Sequence, residues 1–449
     1  MVADWTTLTI DEIKAPVSHS IAMGPFGSDI KTDNFVSSGV PVIRGINLSS
    51  GRFNNSDFVF VTEEKADKLR SANAFPEDIV FTHRGTLGQV GIIPKNALYK
   101  RYVVSQSQMK LTCAPQKAYP LFVFYYFRSS FGQHALLANT STTGVPAISR
   151  PLTSLKSIQL PIPPLSEQKA IAHILGTLDD KIELNQQMNQ NLEAIAQAIF
   201  KSWFVDFDPV RAKMEGREPA GMDTATAALF PDSFEDSTLG AIPKGWRVST
   251  IGESVRVVGG STPSTKEPAY WEGGTIHWAT PKDLASLSSP VVIDTERRIT
   301  ELGLQQISSG LLPIGTVLLS SRAPIGYLAI AEVPLAINQG FIAMICDREL
   351  SNHYVLQWTR ANMDAIEGRA NGTTFLEISK TNFRPLNVVI PSSKILQCFT
   401  EQAAILHQQL VNNLEQSRTL ATIRDTLLPK LMSGEIRVKE AEKILEDVA

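Results

Sequence analysis

A chain of 449 residues is long enough for two or three domains, each with its own core. Its 43% hydrophobic and 19% charged residues match a soluble globular protein, and a net charge of −3 argues against one that merely coats nucleic acid. Cys113, Cys346 and Cys398 are scattered and odd in number, the longest apolar run, Leu121–Phe127, is too short for a bilayer, and Met1–Ile10 has no secretory pattern. The expected setting is the cytoplasm, with no disulfide framework and no membrane partner.

Short β-rich runs fill residues 1–164: Val40–Arg44, Phe58–Val61, Asp78–Phe81, Gln89–Ile93, Val103–Val104 and Met109–Thr112, punctuated by Gly and Pro. Tyr119–Ser130 reads as a short helix whose aromatic residues belong to a core. Ser166 to Phe204 then reads as one helix of about ten turns, roughly 58 Å long. Pro163 and Pro164 precede it and Ser166 stands at the capping position; the long-helix segment is assigned to 165–207. With Leu175 at heptad position a, that position continues through Ile182, Asn189, Ala196 and Trp203, and position d holds Leu178, Asn185, Leu192 and Ile199. A seam of this kind needs a partner helix. Residues 208–239 form a connector; its Phe230 and Phe234, with Phe204 and Phe207 just before it, need cover. A second β-rich unit spans 240–392, with strands at Arg247–Ile251, Thr316–Leu319, Tyr327–Ala331 and Phe341–Ile345. A second long helix covers 393–432, with Pro429 expected to kink or finish it. A tail, 433–449, carries Ile444, Leu445 and Val448 on one side of a short helix.

The second long helix is a diverged copy of the first. A shift of 228 residues sets Leu178 on Leu406, Ile182 on Leu410, Asn185 on Asn413, Leu192 on Leu420 and Ile199 on Leu427 without a gap. The duplication extends into the globular units: 78–94 parallels 315–331, 103–113 parallels 335–346, and 141–149 parallels 372–379. The expected fold is α+β: two β-rich domains and an antiparallel two-helix coiled coil in a pseudo-two-fold repeat, with Asn185 at the level of Asn413 as a register device.

No catalytic machinery stands out. There is no G-x-x-x-x-G-K-[ST] loop, the only Pro-Pro, Pro163–Pro164, lacks the flanking residues of an amino-methyltransferase motif, and the seven histidines form no metal-binding spacing. No metal site and no cofactor are expected. The charge distribution is more informative. Residues 79–166 hold no acid and nine cations, including Arg84, Lys110 and Arg150, which fits a surface for a polyanion. Residues 240–392 hold 13 basic and 13 acidic residues, so any DNA reading there must rest on local loops.

Those loops have the right chemistry. Arg84 and Arg322 occupy the matched hairpins, Gln106 and Asn338–Gln339 the next matched strand, and Ser141, Thr142, Thr143 and Asn371, Thr373, Thr374 the matched polar loops. Arg reads guanine, Asn and Gln read adenine, and hydroxyls hold phosphates. Lys31, Arg44, Arg150, Thr262, Lys266, Thr280 and Lys282 complete the candidate DNA contacts.

The chain resembles the specificity subunits of Type I restriction–modification systems. The resemblance rests on GPFGSDIKTDNF at 24–35, GVPVIRGINL at 39–48, PIPPLSEQ at 161–168, FVDFDPVRAKMEG at 204–216, LGAIPKGW at 239–246, GSTPSTKEPAYW at 260–271, HWATPKDL at 277–284, SSRAPIGYLAI at 320–330 and INQGFIAMI at 337–345. It implies two target-recognition domains, each reading half of a bipartite double-stranded DNA site, with one domain at each end of a helical spacer. It further implies two docked methyltransferase subunits that modify adenine N6, two motor-nuclease subunits, and no catalysis by this chain. Residues 390–399, IPSSKILQCF, depart from PIPPLSEQ, which leaves the start of the second helix less defined. The alternatives are a modification or cleavage enzyme with an unrecognised site, and a coiled-coil scaffold without DNA.

Overall fold

A computed structural model describes residues 5–48, 51–141, 144–372 and 376–446. The chain divides into two compact units, residues 1–185 with 416–449, and residues 186–415.

In the first unit an antiparallel four-stranded sheet runs in the order Ile21–Met23, Gln108–Leu111, Ile79–Thr82, Val90–Ile92. Alternation divides it between two cores. Ile79, Phe81, Met109 and Leu111 face the helix Pro120–Arg128, whose Phe122, Val123, Phe124 and Phe127 are buried. Val80 faces the opposite core with Val42 and Val104 of a second sheet, ordered Val59–Val61, Val40–Ile43, Tyr102–Val104, Asn73–Ala74. Thr6–Thr9 pairs with Gln159–Ile162, the strand that feeds the first long helix.

That helix spans Leu165–Phe204, one residue ahead of the expected start, so Ser166 lies in its first turn and is not the cap. Gln168 fastens the helix instead. Its amide donates to Pro163 O at 2.9 Å and Lys117 O at 3.1 Å and accepts from Tyr119 N at 2.8 Å. Ile171, Leu175 and Leu178 enter the first unit's core beside Leu427, Leu428, Leu431 and Met432 of the second long helix, Ser393–Ser433. The helix continues past Pro429 for one more turn, to Ser433. Burial of Leu431 and Met432 beyond it offsets the lost N–H, and the helix stops before Gly434, which takes a positive φ of 69°. The tail helix Val438–Glu446 packs on the same core through Ala441 and Leu445, while Ile444 is exposed and Val448 lies outside the described residues.

In the second unit a five-stranded sheet runs Arg256–Val258, Phe341–Ile345, Val317–Ser321, Ile325–Ala331, Val291–Val292. A three-stranded sheet, Arg297–Ile299, Ile276–Ala279, Leu335–Ile337, lies beside it, and Arg247–Thr250 pairs with Asn387–Ile390 as Thr6–Thr9 does with its partner. The connector folds here, with helices Asp208–Met214 and Thr224–Leu229 and a hairpin of Phe234–Ser237 with Gly240–Pro243. Its Phe230 meets Trp203 edge to face at 5.1 Å, and Phe204 packs on Trp246 and Phe399.

The long helices pair antiparallel within each unit, because partner numbers fall as the first helix advances. In the first unit Asp179 meets Arg424, and Asn185 donates to Gln416 Oε1 at 2.9 Å and Ser417 Oγ at 3.2 Å. In the second unit Asn189 meets Asn413, and Phe200 meets Phe399. Leu178, Leu410 and Leu427 are buried; Ile182, Leu192, Ile199, Leu406 and Leu420 are half-buried. The expected level match of Asn185 with Asn413 is corrected: both are buried, but each has other partners. In an antiparallel pair a repeat sets equivalent residues opposite each other only at its centre. Accordingly the pair 185–417 becomes the pair 413–189 under the 228-residue shift.

Candidate nucleic-acid interface

Each unit gathers four separate segments into one clasp, tied by backbone hydrogen bonds. In the first unit the hairpin after Ile79–Thr82 is the hub. His83 N donates to Ser107 O at 2.9 Å, Ile148 N donates to His83 O at 2.9 Å, and Gly85 N donates to Pro146 O at 2.8 Å. This joins the hairpin tip to the turn 105–108 and to the small hairpin Thr140–Ser141 with Ala147–Ile148. The fourth segment enters at Gly24, whose N–H donates to Gln108 O. A Cβ on Gly24 would lie 1.9 Å from Ser105 O, so only glycine fits.

The second unit repeats the pattern. Ser321 N donates to Gly340 O at 2.8 Å and Ile378 N to Ser321 O at 3.0 Å. Arg322 bridges Glu377 in backbone pairing as Arg84 bridges Ala147. Ser261 N donates to Ile337 O, and a Cβ on Gly260 would lie 1.9 Å from that oxygen. By these bonds His83 corresponds to Ser321 and Arg84 to Arg322.

The clasps sort the candidate residues. Arg84, Gln106, Ser141 and Arg150 are exposed on the first clasp or its rim, and Lys31 is exposed on the segment that continues from Gly24. Arg150 holds a left-handed backbone, φ 47°, at the start of a short helix. Gln339, Asn371 and Lys266 are exposed on the second. Thr142, Thr143, Thr373 and Thr374 lie outside the described residues.

Other candidates are engaged within the protein. Arg44 is half-buried and donates to Asp57 O at 2.5 Å, which fastens the loop after Val40–Ile43. Thr280 forms a capping box with Asp283, its hydroxyl 2.6 Å from the carboxylate. In both, a guanidinium or hydroxyl fastens its own loop through an internal hydrogen bond. Lys282 pairs with Glu296 at 2.8 Å and Arg322 with Glu377 at 3.7 Å. Thr262 Oγ1 donates to Gln339 Oε1 at 2.5 Å, and Asn338 Oδ1 accepts from Gly340 N at 2.8 Å.

The acid-free stretch is not a one-signed surface, which corrects the charge reading. Lys110 is buried against Asp78 at 3.1 Å, Arg101 binds Asp67 and Glu63, and Lys117 donates to Glu12 O. Asp78, Asp67 and Glu63 precede residue 79, so folding restores these acids to the stretch. Arg84, Lys95, Lys100, Arg128 and Arg150 have no carboxylate within 4 Å among the described residues.

Sequence reasoning missed the parts that build the clasp. His83 is 7% exposed, its Nε2 lies 3.1 Å from Gln106 O, and burial lowers its pKa, so it serves as a neutral tie. Beneath it, buried Gln108 donates to Thr82 Oγ1 at 3.3 Å, and Thr82 donates to Gln89 Oε1 at 2.9 Å. Phe26, in the GPFGSD stretch, is 71% exposed. A signal was present for Gly24 and Gly260, which open corresponding motifs.

Among the described residues no group of three or more His, Cys, Asp or Glu side chains is placed to hold a metal ion, and no helix is long and apolar enough to cross a membrane.

A β-rich domain built twice, each copy with the same four-segment clasp and each followed by a helix of 40 or 41 residues, defines a duplicated recognition protein. The family model described as "Type I restriction modification DNA specificity domain" matches residues 28–194 and again 243–423. The chain belongs to that family. It is 28% identical over 381 residues to the Type I restriction enzyme HindI specificity subunit of Haemophilus influenzae, covering 75% of this chain and 81% of that protein. It is 23% identical over 421 residues to the putative Type I restriction enzyme MjaX specificity subunit of Methanocaldococcus jannaschii, covering 89% and 88%. The crystal structure of a Type I restriction–modification S subunit from M. genitalium shares the fold, with a TM-score of 0.55, 18% identity, and 95% and 96% of the two chains covered. The chain is therefore a non-catalytic DNA-sequence-recognition subunit of a Type I restriction–modification system, and it works in a complex with other subunits of that system.

Proposed function

We propose that each clasp reads one half of a bipartite, asymmetric double-stranded DNA site, and that the length of the paired helices sets the half-site spacing. The observation that carries this is the clasp itself: one backbone arrangement made twice, with different side chains at its surface. Arg84 and Gln106 offer guanine and adenine chemistry in the first copy, and Gln339 and Asn371 offer adenine chemistry in the second. Ser141, Arg150, Lys31 and Lys266 are suited to phosphates. Thr142, Thr143, Thr373 and Thr374 extend the same segments in sequence. Lys282 and Arg322 have to exchange their carboxylate partners for DNA.

The helices are further proposed to dock two methyltransferase subunits, and two motor-nuclease subunits complete the complex, in the cytoplasm. The methyl donor and the flipped adenine belong to the methyltransferase pockets; this chain holds no cofactor. A spacing of about one to one and a half DNA turns, at roughly 34–36 Å per turn, suits helices of this length. The test exchanges residues 240–392 for those of a related subunit and maps methylated adenines genome-wide. One half of the motif is expected to change. An unchanged motif, or loss of both halves, overturns the reading.

A further inference from the structure

The second domain has balanced charge, and several cations near its clasp are already paired. Lys282 is held by Glu296, Arg298 by Asp294 at 3.2 Å, and Arg322 by Glu377. Arg297, between the paired Glu296 and Arg298, differs. It is exposed and has no carboxylate within 4 Å among the described residues. Its guanidinium carbon lies 3.6 Å from the centroid of the Trp271 ring and 5.3 Å from that of Trp278. The two rings are themselves packed edge to face at 5.0 Å.

This stack is tied to the clasp. Trp271 Nε1 donates to Ser264 O at 3.0 Å and Trp278 Nε1 to Ser261 O at 3.4 Å. Between those carbonyls Thr262 donates to Gln339. The strand register agrees: Arg297 pairs with Trp278, Trp278 pairs with Ala336, and the chain reaches Asn338 two residues later. The segment 261–264 thus lies between the clasp turn and the two tryptophans.

We propose that Arg297 is a specificity-determining residue of the second domain, reading a guanine through the N–H edge of a guanidinium stacked on Trp271. A guanidinium laid flat on an indole gains cation–π attraction while its donors stay in the plane, outside the ring. The stack limits the rotamers lost on binding, so the fork meets guanine O6 and N7 already oriented. Trp271 is a positioning residue. This inference rests on the DNA-reading role of the domain.

The test uses the full chain in complex with its methyltransferase subunits and a duplex pool with randomised bases, selected by binding and sequenced. The wild-type complex is expected to return a bipartite motif; if none appears, the DNA-reading role itself falls. With that motif in hand, Arg297→Gln is expected to lose guanine preference at one position of one half-site, about 5- to 150-fold, with the other positions unchanged. Trp271→Leu is expected to weaken the same preference and Trp271→Phe to retain most of it. Uniform weakening at every sequence with a shallower salt dependence would make Arg297 a phosphate contact and overturn the proposal. An unchanged motif in Arg297→Gln would overturn it also. Thermal melting of each variant separates these outcomes from misfolding.

Discussion

Asn413 Nδ2 donates a 2.9 Å hydrogen bond to Asn189 Oδ1, joining the two long helices between side chains that are 5% and 2% exposed. Asn189 also donates to Leu410 O at 3.3 Å, and Asn413 accepts from Gln409 at 3.0 Å. An amide pair at seam positions costs stability compared with leucine but penalises every register that leaves it unpaired. Asn413→Leu alone strands Asn189 Oδ1 and is expected to cost about 1–3 kcal/mol. Asn189→Leu with Asn413→Leu is expected to recover most of that loss. Denaturant titrations of the four-member cycle check the coupling, which is expected to exceed about 0.5 kcal/mol.

Gly24 and Gly260 each press a clasp segment onto a carbonyl oxygen. A methyl group 1.9 Å from Ser105 O or Ile337 O meets backbone, which cannot swing aside. Gly24→Ala is expected to displace the first clasp and Gly260→Ala the second, each costing about 1–3 kcal/mol by overpacking. Methylation mapping is expected to show loss of modification in both variants, because a bipartite site needs both halves. Ala substitution at Gly216, outside both clasps, where a Cβ meets nothing within 4 Å, is the control. Its positive φ of 68° still gives a strain cost, of about 1 kcal/mol.

The repeat order, the strands and both long helices were legible because each rests on local pattern: alternation, heptads and Pro/Gly punctuation. The partner of Asn413 was not, because the 228-residue shift gives equivalence and contact depends on where the antiparallel helices cross. The last turn beyond Pro429 was not legible either: the local penalty is real, but burial of Leu431 and Met432 in the core offsets it. At the clasp, residue type pointed to Arg84 and Gln106, which the fold leaves exposed, but it could not show that Arg44 bonds Asp57 O or that Thr280 caps a helix. The charge of residues 79–166 misled because Asp78, Asp67 and Glu63 return in space to cations that are distant in sequence.

His353 supplies a pH dependence. Its ring lies 5.0 Å from that of His407, which bonds Glu332 at 2.7 Å. Burial, then the neighbouring His407, push the His353 pKa down to about 4 from an ordinary 6.5, with Glu332 opposing. The unfolded chain therefore takes up a proton before the folded one does. The folded state has its full stability above pH 6.5 and loses it as the pH falls toward 4, by up to about 3 kcal/mol. Wild-type melting temperature is expected to drop through this window. His353→Gln, which removes the titrating group, is expected to flatten that part of the profile, and an unaltered slope would assign it to other groups.

Asp179 anchors the first unit. It accepts from Tyr125 Oη at 2.6 Å and from Arg424 Nη1 at 2.6 Å, so one carboxylate joins the aromatic helix to both long helices. Arg52 adds bonds to Asp180 and to Glu183, the latter at 3.0 Å. Burial, with the Asp179 charge, pushes the Tyr125 hydroxyl well up, so it remains a donor at any working pH. Removing only the acid leaves Arg424, 16% exposed, without its principal counter-charge. Asp179→Leu is thus expected to cost about 3–5 kcal/mol. Asp179→Leu with Arg424→Met removes the stranded charge and is expected to regain much of it. Tyr125→Phe deletes one hydrogen bond to a charged group and is expected to cost about 1.5–3 kcal/mol. Chemical denaturation of the three variants checks the order: acid alone worst, double variant and phenylalanine milder. If Asp179→Leu proves as mild as Tyr125→Phe, the carboxylate is not the group that holds these helices together.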